Sequence, residues 1–501
     1  MIKKIIVQRI LLCALIAVIG FITSCKKSTG SPGDETVTES NTLQTATSNR
    51  DYLTKDSIFL YAKQTYFWNV GMPGYDNFNP RKYATGKAVV EALRALPSNG
   101  GKDKYSFIDD GSVATQLSGV SGDYGFSANF DSNNLLRVKL VYPGSPADAQ
   151  GLKRGYIITR INGGGVLRSS QVDINNINNS LFGTNPSISM TVSKPDGSSA
   201  DVVINRTSYN LNPILYTNTY TIGAKKVGYI VFNSFTTNSA SLLDAAFAKF
   251  AADGVTELVV DLRYNGGGSV ATSEAFTNLI APPSQNGKVM YTTYWTQTMQ
   301  DEKATILQNQ KFWYTFSDGT KRLVSMFDVS YKPTAAAGNQ EVFAKRGSLN
   351  GLTRVYFLVT DGTASASELL INNLKPVMDV KLIGKTTYGK PVGFFAIHID
   401  KSDLYIPQFQ TKNQLNQGEY FSGMAVDKDV SDDLAKDFGD VSEKMLAQAL
   451  YFSATGNFSA LAKDNPLSST SASRALIDQA NGQLDHEFKG MIETRKLKLN
   501  K

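Results

Sequence analysis

Cysteine is nearly missing: the 501 residues contain two, Cys13 and Cys25. Both lie in the first 25 positions, so no disulfide framework can hold the body of the chain, and no thiolate metal site can be built there. Histidine is as scarce, with His398 and His486 alone. That leaves a Ser-His-Asp triad short of candidates and rules out a His/Cys ligand set, so neither a metal nor a cofactor is expected. No Gly-x-Ser-x-Gly elbow occurs. Charge of one sign is not concentrated either. The 51 basic residues outnumber 44 acidic ones, but they form no stripe and carry no interleaved aromatics, which argues against nucleic-acid binding. The apolar run near the N-terminus, residues 10–23, is shorter than the ~20 residues of a membrane-spanning helix.

What is present suits a large globular protein. Apolar residues make up 42% and charged residues 19%, enough for an extensive core and a length of about three domains. The basic start, the short apolar run and the small residues of Ile22-Thr23-Ser24-Cys25 resemble a bacterial lipobox. Residues 1–24 are thus expected to be a lipoprotein signal peptide and Cys25 the acylated first residue, anchoring an exported protein to a membrane, on the periplasm-facing side of the outer membrane. Residues 25–50 follow as a tether; ten of the 25 positions from 26 to 50 are Ser or Thr.

Apolar spacing predicts a small helical domain over residues 51–115, with helices at 57–67 and 86–96. Residues 116–207 change to short β runs separated by Gly turns. Within them Ser145-Pro146-Ala147 opens a one-turn helix ended by Gly151, and 170–181 can form a longer one. This texture is similar to a PDZ domain. The likeness implies that an extended peptide adds a strand beside Tyr124, Gly125, Phe126 and Ser127, whose amides capture a terminal carboxylate. Tyr156 stands where the family usually has Asp, and a rigid spacer that binds no peptide is the competing reading. Residues 208–455 alternate strands and helices, with nearly all-apolar strands at 257–263 and 354–360, as expected of a parallel α/β layer. Residues 456–501 are expected to be a helical tail.

Three segments carry chemistry. In Asp361-Gly-Thr-Ala-Ser365-Ala-Ser-Glu368 a buried strand ends and a helix begins. A serine there faces free helix N-terminal amides that favour a negative oxygen, although the same residues also describe a plain capped helix start. Gly384 to Lys390 matches the opening of a P-loop, but Pro391 supplies neither the hydroxyl nor the amide that a nucleotide site needs. Lys390 serves better as a base. An ordinary lysine, near 10.4, is almost wholly charged at neutral pH, and burial among Tyr388, Val392, Phe394 and Phe395 would lower it toward about 7–8. Finally, Asp261-Leu-Arg-Tyr-Asn-Gly266-Gly267-Gly268 runs a strand into bare backbone amides, the raw material of an oxyanion hole.

In this order the segments resemble the tail-specific, or C-terminal-processing, serine peptidases over about residues 51–455. The resemblance implies a peptidase core like crotonase and Clp protease, no metal or cofactor, and protein or peptide substrates with free C-termini. It implies Ser365 as nucleophile and Lys390 as base, and an oxyanion hole of the Ala366 amide with that of Gly267 or Gly268. Gly423-Met-Ala-Val-Asp427 resembles the family's closing segment with Val426 for proline. Phe394 stands where many members orient the lysine with Gln or Glu, so a backbone carbonyl or Tyr388 must do so, or activity is reduced. Two rivals follow: a catalytically inactive peptide- or ligand-binding lipoprotein, and a surface binding component for nutrients.

Overall fold

The computed structural model describes residues 40–460 and 471–500; the expected signal peptide and Cys25 lie outside them. Residues 40–45 with Pro73–Asn79 form one compact unit, in which Asp76 accepts from Thr42 and Leu43 amides at 2.9 Å. The remainder forms another, and it holds every element discussed below. Among the described residues no helix is long and apolar enough to cross a membrane.

Two of the expected N-terminal helices are present, α1 (Arg50–Thr65) and α2 (Gly86–Arg94), capped by Asn49 and Thr85. Then comes an antiparallel five-stranded sheet in chain order: β1 (Phe126–Phe130), β2 (Leu136–Val141), β3 (Ile157–Ile161), β4 (Ser187–Ser193) and β5 (Ser199–Asn205). Ser145 caps the one-turn helix Pro146–Ala149, and Ser170 caps α3 (Gln171–Phe182). Alternation along β4 and β5 buries one face: Ile188, Met190, Val192, Val202 and Ile204 share a cluster with Ile174 and Ile177 of α3.

The larger layer follows. A hairpin of β6 (Ile214–Ile222) and β7 (Lys225–Phe232) leads through α4 (Ser239–Ala252) to β8 (Glu257–Asp261), the short β9 (Gly267–Ser269) and α5 (Val270–Ile280). Further on lie β10 (Arg354–Val359), α6 (Ala366–Leu374), β11 (Asp379–Gly384), β12 (Val392–Gly393), β13 (Lys428–Asp429) and α7 (Lys444–Thr455). Six strands form a sheet in the order β13-β11-β10-β8-β7-β6, parallel throughout except for the β6–β7 hairpin. The apolar runs of β8 and β10 are central strands, covered on both faces and fully buried, which is why alternation is absent from them.

Among the described residues the expected helical tail is helical only over α8 (Ser471–Leu484); beyond it Gly490–Ile492 is a strand, β14. The glycine and the neighbouring open strand edges favour extended backbone over another helical turn. Past β14, Arg495 fastens the chain by hydrogen bonds to Glu341 (2.8 Å) and Thr293 (3.2 Å) and an ion pair with Glu274 (3.6 Å). Burial raises the Glu274 carboxyl to about 8, against the pull of Arg495. The folded chain then holds a proton that the unfolded chain, at about 4.5, has released. Stability should therefore fall as pH rises between those two values, and Glu274→Gln should remove that fall. Melting temperatures taken across the interval check this; an unchanged slope in the variant would contradict it.

Candidate active site

Ser365 sits where β10 gives way to α6, as the N-cap residue, with φ +61° and ψ −108°. That backbone conformation is unfavourable for a residue with a side chain and persists only where surroundings enforce it. Enforcement comes from Glu368, one turn into the helix, whose Oε2 accepts the Ser365 amide at 2.8 Å. Ser365 is fully buried, and its hydroxyl has no hydrogen-bond partner among the described residues.

Lys390 is likewise fully buried, not a solvent-facing turn residue. Its backbone amide donates to the same Glu368 Oε2, also at 2.8 Å. The two backbone nitrogens therefore lie no more than twice that distance apart. Glu368 Oε1 accepts the Gly389 amide (2.7 Å) and the Thr387 hydroxyl (2.5 Å). One carboxylate thus ties the serine-bearing helix to the lysine-bearing loop through four donors. Burial raises its pKa, and the donors oppose that rise.

The Lys390 amine lies 3.9 Å from the centre of the Phe394 ring and 5.3 Å from that of Tyr105. Burial pushes its pKa well below the ordinary lysine value, although Asp103 and Glu368 pull the other way. The amine donates to the backbone carbonyl of Lys489 at 2.8 Å. So Phe394, standing where many members have a polar orienter, places a ring face against the amine, and of the two expected substitutes it is a backbone carbonyl, not Tyr388, that accepts from it. Tyr388 instead carries Lys104 over its ring at 4.0 Å.

The glycine loop reaches the same point. Asp261 and Arg263 are its foundation: the buried guanidinium forks onto Asp261 (2.8 Å), Glu443 (3.0 Å) and Asp432 (2.6 Å). Arg154, from the turn that precedes β3, adds a second contact to Asp432 at 2.8 Å, and the two arginines hold that carboxyl well below its usual range. Above this base the Gly267 amide donates to the Asn265 side chain at 2.9 Å. Gly267 has φ +110°, and a β-carbon there would stand 2.9 Å from the Ala366 nitrogen and collide with the Gly490 carbonyl. The predicted oxyanion residues Ala366 and Gly267 therefore adjoin each other, and Gly268 follows in β9. Asn265 takes the Gly267 amide, and Gly268 is engaged in the β9–β14 pairing.

The predicted peptide loop is elsewhere, in the five-stranded sheet. Tyr124 is buried and donates to the Asn185 carbonyl at 2.8 Å, while the Gly125 amide is already taken by Asp123 at 2.8 Å. Phe126 is half-buried, and the Ser127 hydroxyl is buried without a partner. His398 pairs with Asp403 and His486 with Asn178, so neither stands in the lysine site. Sequence reasoning missed Tyr105 and Asp103, which come from the region read only as a small helical domain. It also missed the structural work of Glu368, whose one signal was its place three residues after the serine.

Residues 226–431 match the profile of Peptidase family S41. The chain is 24% identical over 338 residues to the "Probable CtpA-like serine protease" of Staphylococcus aureus (strain bovine RF122 / ET3-1), covering 67% of this chain and 58% of that protein. It is 23% identical over 311 residues to the chloroplastic C-terminal processing peptidase of Tetradesmus obliquus, covering 59% and 57%. The chain thus spans a little over half the length of these curated relatives. A crystal structure of a candidate S41 protease from Bacteroides fragilis NCTC 9343 superposes with TM-score 0.55 at 22% identity, over 80% of this chain and 97% of that one; the mixed α/β fold is of that type. Residues 226–431 are thus similar to peptidase family S41, and the chain to relatives named as CtpA-like and C-terminal processing proteases.

Proposed function

We propose that this chain is a serine endopeptidase that cleaves protein or peptide substrates near their C-termini through a Ser365–Lys390 dyad. Neutral Lys390 takes the Ser365 proton as the hydroxyl attacks the peptide carbonyl. The Ala366 amide, with that of Gly268 or Gly267, holds the oxyanion. Lys390 then protonates the leaving amine and activates water for deacylation. Residues 116–207 act as a PDZ-like module that recruits substrate, an assignment favoured by the antiparallel sheet and the packing of α3 on it. Residues 208–455 form the crotonase- and Clp-like peptidase core. Lipidation at Cys25 holds the exported protein at the periplasmic face of the outer membrane.

The observation that carries the reading is the shared Glu368 carboxylate. It ties the backbone of a serine whose hydroxyl has no partner among the described residues to the backbone of a lysine whose charge is disfavoured by burial, which supports the dyad. The Lys390 bond to Lys489, rather than to Ser365, favours an inactive peptide-binding protein as the second reading. Labelling the full chain with a fluorophosphonate and locating the adduct by mass spectrometry separates the two. A label on Ser365 that vanishes in Ser365→Ala and is at least about 100-fold slower in Lys390→Met supports the peptidase. A serine that stays unlabelled after displacement of the tail supports the inactive reading.

A further inference from the structure

The C-terminal residues engage the molecule at two places where the proposed peptidase would hold a substrate. In the five-stranded sheet, β1 is an edge strand. Helix α8 lies along it. The Asn481 side chain accepts the Phe130 amide at 2.7 Å and donates to the Phe130 carbonyl at 2.9 Å. One side-chain amide thereby supplies the pair of bonds that a neighbouring strand would make. Ile477, Ala480 and Leu484 are buried in the same cluster as Phe130, Ile174 and Ile177, so α8 fills the groove between β1 and α3.

A few residues later the chain is extended and bonded on both sides. Strand β14 pairs in parallel with β9, in the register Gly267 to Gly490, Gly268 to Met491 and Ser269 to Ile492. The Gly490 amide donates to the Gly266 carbonyl at 3.0 Å. On the opposite edge Phe394 donates to the Met491 carbonyl at 3.0 Å, and Glu493 donates to the Phe394 carbonyl at 2.9 Å. The Lys489 carbonyl holds the Lys390 amine, and the Gly490 carbonyl lies against Gly267 beside the Ala366 amide. An extended main chain bonded on both edges, with one carbonyl on the proposed base and the next at the proposed oxyanion corner, is placed as a bound peptide would be.

We infer that residues 471–493 are an intramolecular ligand that fills both grooves, and that a foreign extended peptide binds only when this segment leaves. The inference rests on the peptidase reading only for what the cleft does, not for what occupies it. The register also sets the class of competing peptide. Such a peptide has a glycine opposite Gly267, because a β-carbon there would collide with the aromatic ring two positions before it, as at Gly490 and Phe488. Apolar residues follow it, where Met491 and Ile492 are buried, and an aromatic stands two positions before it, where Phe488 packs with Phe107 and Phe394.

The test uses full-length Ser365→Ala protein and a fluorescent peptide with the sequence of residues 488–494. Binding, read by anisotropy, should be at least about ten-fold tighter after the further change Met491→Asp, which sets a charge in a fully buried position of β14. Equal affinity with and without that change would overturn the inference. Wild-type protein gives a second readout that needs no altered fold. Saturating peptide should speed hydrogen exchange at the Gly490 and Glu493 amides, and unchanged protection with peptide bound would also overturn it. If peptide binds as expected but the Met491→Asp protein with Ser365 intact neither cleaves nor takes the fluorophosphonate, the peptidase reading fails and the intramolecular ligand stands.

Discussion

Replacing Lys390 with methionine is expected to reduce cleavage of an unfolded substrate at least about 100-fold, the usual share of a general base, while making the protein more stable. The two effects have one cause. The amine is fully buried, touches aromatic rings and forms no ion pair among the described residues, so its charged form is disfavoured. In the unfolded chain the same amine keeps its proton up to its ordinary value of 10.5. Below that value folding must expel the proton or bury the charge. Between the depressed folded pKa and 10.5 the unfolded state binds more protons, so wild-type stability rises with pH there. Methionine has the same reach and no proton to lose, so its advantage should be largest at neutral pH and shrink as the solution becomes alkaline. Chemical melts of both proteins across pH check the sign. The pH–rate profile of the wild type should likewise rise through a pKa well below that of free lysine. Equal cleavage by the two proteins, or a stability gap that widens with pH, would remove the lysine from the mechanism.

Glu368→Ala should be the most damaging change outside the proposed dyad. It strips the acceptor from three backbone amides and one hydroxyl at once, in a place where water does not substitute. Each unsatisfied buried donor costs about 1–3 kcal/mol; with partial relaxation a loss of roughly 3–5 kcal/mol is expected. Activity should fall by about 100-fold through the positions of Ser365 and Lys390, a shift of about an ångström being enough. Glu368 is a positioning residue, so the fall should lie in kcat, with KM little changed. Glu368→Gln tests this further: it keeps one oxygen but turns an NH2 toward two donors, so it should recover part of the stability and little of the rate. A Glu368→Ala enzyme that melts early yet keeps its kcat would assign the carboxylate to stability alone.

Much of this arrangement was legible before any coordinates. The strands at 257–261 and 354–359 announce themselves because burial on both faces requires unbroken apolar runs. Ser365 and Lys390 could be found because a strand-to-helix junction and a lysine among aromatics leave local marks. Glu368 was legible only as a helix cap, since nothing local reveals that the loop at 387–390 comes back to meet it. Arg154, Asp432 and Glu443 are ordinary charged residues in the sequence, and only the packing of distant segments makes them partners of Arg263. The strand at 490–492 is too short for alternation to show. Its contacts with the site are made by main-chain groups, which every residue possesses and no sequence pattern distinguishes.

The cluster around Arg263 also constrains how the molecule can move. Arg154 travels with the five-stranded sheet, Arg263 with the glycine loop, and Asp432 is shared between them. Swinging that sheet away as a rigid flap would part the buried Arg154 from Asp432, several kcal/mol uphill, while Arg263 kept Asp261 and Glu443. The cheaper route to an open cleft is to peel off a thin ribbon of backbone, which gives up only a handful of main-chain bonds and leaves the buried cations with their counter-charge.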